Sequence, residues 1–280
     1  MPPSGGGATG GAVHEGSTKA IFAAFFANLG IAIAKFVGFL ITGASSMLAE
    51  SIHSVADTSN QGLLLLGGRT AKRAPTPEHP FGYGRDRYFW SFIVALVLFS
   101  VGGLFAIYEG VEKLRHPHDI TSPGVALGIL GVAVVLESFS LRTAIREARP
   151  FKGRNSWVAY IRRSKSPELP VVLLEDLGAL FGLLFALAGI TLALVTDEPR
   201  FDGAATLAIG VLLVTIAVIL VIEMKSLLIG ESAAAEQQQE IRARIEGTPG
   251  VARLIHMRTL HLGPDELLVA AKIELTGPPA

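Results

Sequence analysis

Six apolar stretches, 18–42, 46–70, 87–113, 122–147, 168–195 and 203–228, take up most of this chain, each bounded by Gly, Pro or clustered charge. A helix needs about 20 mostly apolar residues to cross the hydrocarbon core of a bilayer, and each stretch is long enough. The chain has 280 residues, 50% of them hydrophobic and only 17% charged, with a mean hydropathy of +0.49. That is too apolar for an ordinary soluble domain and fits a polytopic membrane protein. The connections alternate in charge. Segment 71–87 carries Lys72, Arg73, Arg85 and Arg87, and 148–167 carries Arg149, Lys152, Arg154, Arg162, Arg163 and Lys165. Segment 43–45 carries none, 114–121 has a lone Arg115, and 196–202 is mainly acidic. The positive-inside rule then puts both chain ends in the cytosol.

The second stretch contains the run Glu50-Ser-Ile-His53-Ser-Val-Ala-Asp57-Thr-Ser-Asn60-Gln61. An Asp at the bilayer centre costs roughly 2.5–3.5 kcal/mol on insertion scales, so such residues face a protein interior or a water-filled cavity and mark an ion path. Helical positions i, i+3, i+4, i+7 and i+11 share a face, which puts Glu50, His53, Asp57 and Asn60 or Gln61 in one stripe. A carboxylate and an imidazole one turn apart suit a shared divalent ion, and near-tetrahedral coordination asks for further ligands from another helix. The fifth stretch supplies candidates in Glu175 and Asp176. A ligand must be deprotonated to bind metal, so metal and protons are alternative occupants, and proton-coupled exchange is the expected mechanism.

Composition removes other classes. Net charge is zero, which gives nucleic acid no general attraction, and the absence of cysteine leaves only oxygen and imidazole ligands. Glycines at Gly102-Gly103, Gly124/Gly128/Gly131 and Gly178/Gly182 are expected where helix backbones approach closely. Asn28, Ser100, Glu109 and Ser138 are expected to make ordinary interhelical hydrogen bonds, while Lys35 and Glu137 either end an ion pair or border the ion path. Residues 1–17, rich in Gly and small residues, are expected to form a disordered cytosolic tail. Beyond a transport domain at 18–228, residues 229–280 turn polar, with a helix at 233–247 and strands at 251–262 and 267–275 around Gly263-Pro264-Asp265.

On these residues the chain resembles the cation diffusion facilitator family over roughly 18–276. The family's second-span pattern is matched by Ser46-Met-Leu-Ala49-Glu-Ser-Ile-His53-Ser-Val-Ala-Asp57, and its loop before the third span by His79-Pro-Phe-Gly-Tyr83-Gly-Arg85. Together with Leu173-Leu-Glu175-Asp176, the pattern is similar to a zinc-transporting branch of the family. The resemblance implies an all-α membrane protein with six transmembrane helices and a short cytosolic C-terminal α+β domain, which here looks truncated. It also implies a homodimer in which the second and fifth spans supply the metal ligands. The implied ligands are His53, Asp57 and Asp176, with Glu175 or Glu50 completing the set, because Val172 stands where a His or Asp is expected four residues before Asp176. Zn²⁺ is then the expected cargo, with Mn²⁺ and Fe²⁺ as alternatives for an oxygen-rich site. No prosthetic group is expected.

His79 is expected to be structural, since Tyr83 and Thr76 offer no ligand set beside it. Lys272 takes the place of a histidine near His256 and His261, which argues against a regulatory metal site there. The second strand is expected to leave an open edge unless a partner covers it. The expected activity is efflux of a divalent cation against protons, in the cytoplasmic membrane of a bacterium rather than an organelle. A metallohydrolase is the enzyme alternative, disfavoured by the lack of a His-Glu-x-x-His run. A metal-binding membrane partner that no longer transports is the third reading.

Overall fold

The computed structural model describes residues 28–277, so the tail expected over 1–17 lies outside the described residues. In chain order the helices are α1 (Asn28–Thr42), α2 (Ser45–Thr70), α3 (Asp86–Arg115), α4 (Pro123–Lys152), α5 (Trp157–Arg163), α6 (Glu168–Thr196), α7 (Arg200–Ile229) and α8 (Ala235–Glu246). An antiparallel hairpin follows, β1 (Val251–Gly263) and β2 (Glu266–Leu275). Four helices, α3, α4, α6 and α7, are long and apolar enough to cross a membrane. The expectation of six is not met on that measure. Helix α1 is described only from Asn28, and α2, though 26 residues long, is made less apolar by Glu50, His53, Asp57, Asn60 and its many hydroxyl side chains.

The chain divides into two compact units, each assembled from three separate segments. The first holds residues up to 61, 97–140 and 176–214. In it, Gly43 turns the chain from α1 into α2 at φ +67°, a conformation that costs glycine nothing. The start of α2 takes its cap from α7. Asp202 accepts from the backbone N–H of Ser45 (2.8 Å) and of Ser46 (3.3 Å) and from the Ser46 hydroxyl. A carboxylate there satisfies amides that the helix cannot satisfy itself and complements the positive end of its dipole.

Helices α3 and α7 pack through glycine. A Cβ on Gly110 would lie 2.6 Å from the Leu207 nitrogen, and one on Gly210 would lie 2.6 Å from the Ile107 nitrogen. Gly103 meets Val214 in the same way, as expected of small residues between helices in lipid. The expectation fails for Gly124, Gly128 and Gly131, which have no described atom within 4 Å of an added Cβ. Their helix, α4, buries only 17% of its apolar window and turns Val125, Val132, Val135, Leu136 and Phe139 outward. Within α3, Leu98–Leu104 forms a π-helical turn, of which the apolar pattern carries no sign.

The second unit holds 62–96, 141–175 and 215 onward. Its core gathers around Tyr88, Met224 and Leu227, with Phe92 and Leu228 packed against them. The Tyr88 hydroxyl donates to the Lys165 carbonyl at 3.1 Å, so the ring is buried without orphaning its polar end. Short helix α5 was not expected within the basic connection 148–167. Ser156 caps it by accepting from the Ala159 amide at 3.1 Å, and the Lys152 ammonium sits 5.2 Å from the Trp157 ring centre. Arg87 pairs with Glu168 and, at 2.8 Å, with Asp265. The hairpin runs in register from Val251 opposite Leu275 to Gly263 opposite Glu266, with three irregularities. β2 is largely exposed and pairs only with β1 among the described residues.

Candidate metal site

The sequence stripe on α2 is real. Glu50, His53 and Asn60 are fully buried, and Asp57 is 18% exposed at its side chain. His53 and Asp57, one turn apart, bring Nε2 within 3.3 Å of a carboxylate oxygen. Room for the imidazole comes from α3, where a Cβ on Gly102 would lie 3.8 Å from His53 Nδ1 and 3.3 Å from a Leu213 methyl.

The other expected ligands are held differently. Glu50 is paired with Lys35 of α1 at 3.1 Å, and the same ammonium donates to the Ser54 hydroxyl at 2.8 Å. Lys35 therefore ends an ion pair, one of the two roles open to it from sequence. Asp176 on α6 accepts from the Ser140 hydroxyl of α4 at 2.9 Å. Glu175 is buried on α6, about 100° around the helix from Asp176. Among the described residues no three His, Asp or Glu side chains converge closely enough to hold an ion together. The structure thus joins His53 to Asp57 and leaves Glu50 and Asp176 with other partners.

Asp202 and Lys113 were not singled out from sequence. Both are buried, Lys113 donating to the His118 carbonyl at 2.5 Å and Asp202 capping α2. The signal available was weak, a carboxylate at the edge of an acidic connection and a lysine near a helix end. Glu109 makes an ordinary interhelical bond, accepting from the Ser45 hydroxyl at 3.1 Å, whereas Ser138 bonds the Val134 carbonyl of its own helix. His79 is exposed, with its ring centre 4.6 Å from that of Tyr83. On the hairpin, Lys272 lies directly opposite His256 in register.

Comparison with known proteins identifies the family. The model of the cation efflux transmembrane domain matches residues 21–229. The human proton-coupled zinc antiporter SLC30A9, mitochondrial, is 33% identical over 94% of this chain and 47% of its own length. Metal tolerance protein C4 of Arabidopsis thaliana is 28% identical over 93% of this chain and 58% of its own length. Zinc transporter ZitB of Pectobacterium atrosepticum is 26% identical over 84% of this chain and 64% of its own length. The chain thus spans about half the length of the human relative. Members of the matched family are transporters, which removes the metallohydrolase alternative. With a family match over 21–229 that takes in the whole α2 stripe and the carboxylates of α6, this chain is an integral, multi-pass membrane protein of the cation efflux family.

Proposed function

We propose that this chain exports a divalent cation, Zn²⁺ first among candidates, from the cytosol in exchange for protons. The observation that carries the reading is the pairing of buried His53 with half-buried Asp57 on a helix of a cation efflux transmembrane domain. Asp176 is the third ligand, exchanging its Ser140 hydroxyl for the ion, and Glu175 is the fourth, taking over from the residue missing at Val172. His53 provides a borderline-soft nitrogen, and the carboxylates provide charge compensation. Each ligand binds metal only after losing its proton, so cargo and protons exclude one another at one site, and alternating exposure of that site yields antiport. The names of the human and Pectobacterium relatives, a proton-coupled zinc antiporter and a zinc transporter, favour zinc; the oxygen-rich ligand set keeps Mn²⁺ and Fe²⁺ as alternatives.

In this reading α1 and α2 cross the bilayer together with the four longer helices. Six spans, within a transport domain at 18–228, put both ends and the α+β segment at 229–280 in the cytosol. The protein works as a homodimer in the cytoplasmic membrane. A second reading, a metal-binding partner that does not transport, draws on the absence of a three-ligand cluster among the described residues.

Purified protein in vesicles loaded with a zinc-sensitive dye separates the two. Under an imposed pH gradient, wild-type protein is expected to carry zinc, and Asp57→Ala to abolish the flux. Glu175→Gln tests the fourth ligand. Zinc bound without flux would select the non-transporting reading, and flux indifferent to the gradient would remove the proton coupling.

A further inference from the structure

Lys35 is a full positive charge with no solvent exposure, on an apolar helix. Such a group is costly inside a membrane protein unless it is paired and hydrogen-bonded, and its bonds to Glu50 and Ser54 meet that need. The carboxylate it holds is only half used. Glu50 Oε1 is buried, has no hydrogen-bond partner among the described residues, and faces α6 at Gly182, where a Cβ would run into the carboxylate. That is the vacant oxygen a cation would seek, one turn from His53.

The charges then divide. Lys35 and Glu50 offset one another, which leaves Asp57, Asp176 and Glu175 as the carboxylates proposed to meet the ion. Released, Glu50 would add a further carboxylate oxygen on the face of α2 that carries His53 and Asp57, favouring tighter retention of the ion and harder metals.

We propose that Lys35 is a specificity-determining residue, a tethered cation that occupies Glu50 in place of a metal and keeps that carboxylate out of the ligand set. The proposal rests on the assignment of His53, Asp57 and Asp176 as ligands. Its test uses the full chain in detergent, with Zn²⁺ alone as probe and thermal unfolding as readout, for wild type, Lys35→Met and the double variant Lys35→Met/Glu50→Gln. Lys35→Met is expected to show a larger zinc-dependent rise in Tm than wild type and an apparent affinity tighter by about tenfold, because zinc takes the vacated place beside Glu50. The double variant, with neither charge left buried, is expected to return to the wild-type zinc response. Loss of that response in the double variant would make Glu50 a ligand and overturn the proposal. So would a folded Lys35→Met that responds to zinc as wild type does. If wild type ignores zinc while Lys35→Met acquires a response, the role of Lys35 stands and the transport reading falls.

Discussion

At the scale of single residues, the informative feature of the site is that its carboxylates have different partners. Asp176 holds a serine hydroxyl, Asp57 a histidine, Glu50 a lysine. If Asp176 must release Ser140 to take metal, Ser140→Ala removes a competitor. A hydrogen bond is worth about 0.5–1.5 kcal/mol net, so zinc is expected to bind roughly 2–10-fold tighter to that variant by calorimetry. Weaker binding would instead make the Ser140 oxygen a ligand. His53→Ala is expected to weaken zinc at least about tenfold, the loss of one good nitrogen ligand. The α2 residues were legible because metal-binding side chains at helical spacing stand out in an apolar stretch. The pairing of Glu50 was not, since its partner lies 15 positions earlier on another helix and periodicity carries no information about which helices meet.

At the scale of elements, two devices fix the first unit, the Asp202 cap on α2 and the close contact of α3 with α7. Asp202→Ala would orphan the amides of Ser45 and Ser46 at a buried helix start. The expected cost is about 1–3 kcal/mol, read as a lower Tm in detergent, with Ser46→Ala costing less because the backbone bonds survive. Gly110→Val would drive a side chain into the backbone of Leu207 and is expected to abolish folded protein, by gel filtration, whereas Gly128→Ala, facing open space, is expected to be neutral. Equal tolerance of the two would show that the α3–α7 contact contributes nothing. Glycine spacing in the sequence suggested Gly102-Gly103 and Gly128 alike and did not single out Gly110. Only the burial of each helix tells them apart, and burial depends on the fold as a whole. Helix α5 was missed for a related reason: seven residues without a strong apolar period are recognisable mainly by the Ser156 cap.

At the scale of the whole molecule, stability against pH draws on His261 and Glu231, both outside the membrane-crossing helices. Burial first, and then the Lys165 charge, hold the His261 imidazole below its usual value, against the Gly263 backbone and the Glu231 carboxylate, which pull it up. The folded chain therefore binds fewer protons at His261 than the unfolded chain, and stability falls as pH drops below about 6.5. The Lys165 ammonium and the Ser226 hydroxyl outweigh burial and keep the Glu231 carboxyl below its usual value, so a further loss begins under pH 4.5. Thermal unfolding between pH 7.5 and 5.5 is expected to show the first loss in wild type and to flatten in His261→Leu; an unchanged slope in that variant would place the effect elsewhere. The mostly helical membrane fold and the places of its long helices were legible in the sequence, because apolar length and charged connections report on a bilayer one segment at a time. The division into units was not, since all five long helices contribute to both. During synthesis, neither unit can close until α7 has left the ribosome, because each takes its last membrane-crossing segment from that helix. For most of translation the cell therefore holds a set of inserted hairpins with half-made interfaces and an α2 start still lacking its Asp202 cap, and this is the interval in which membrane chaperones and proteases act on the chain.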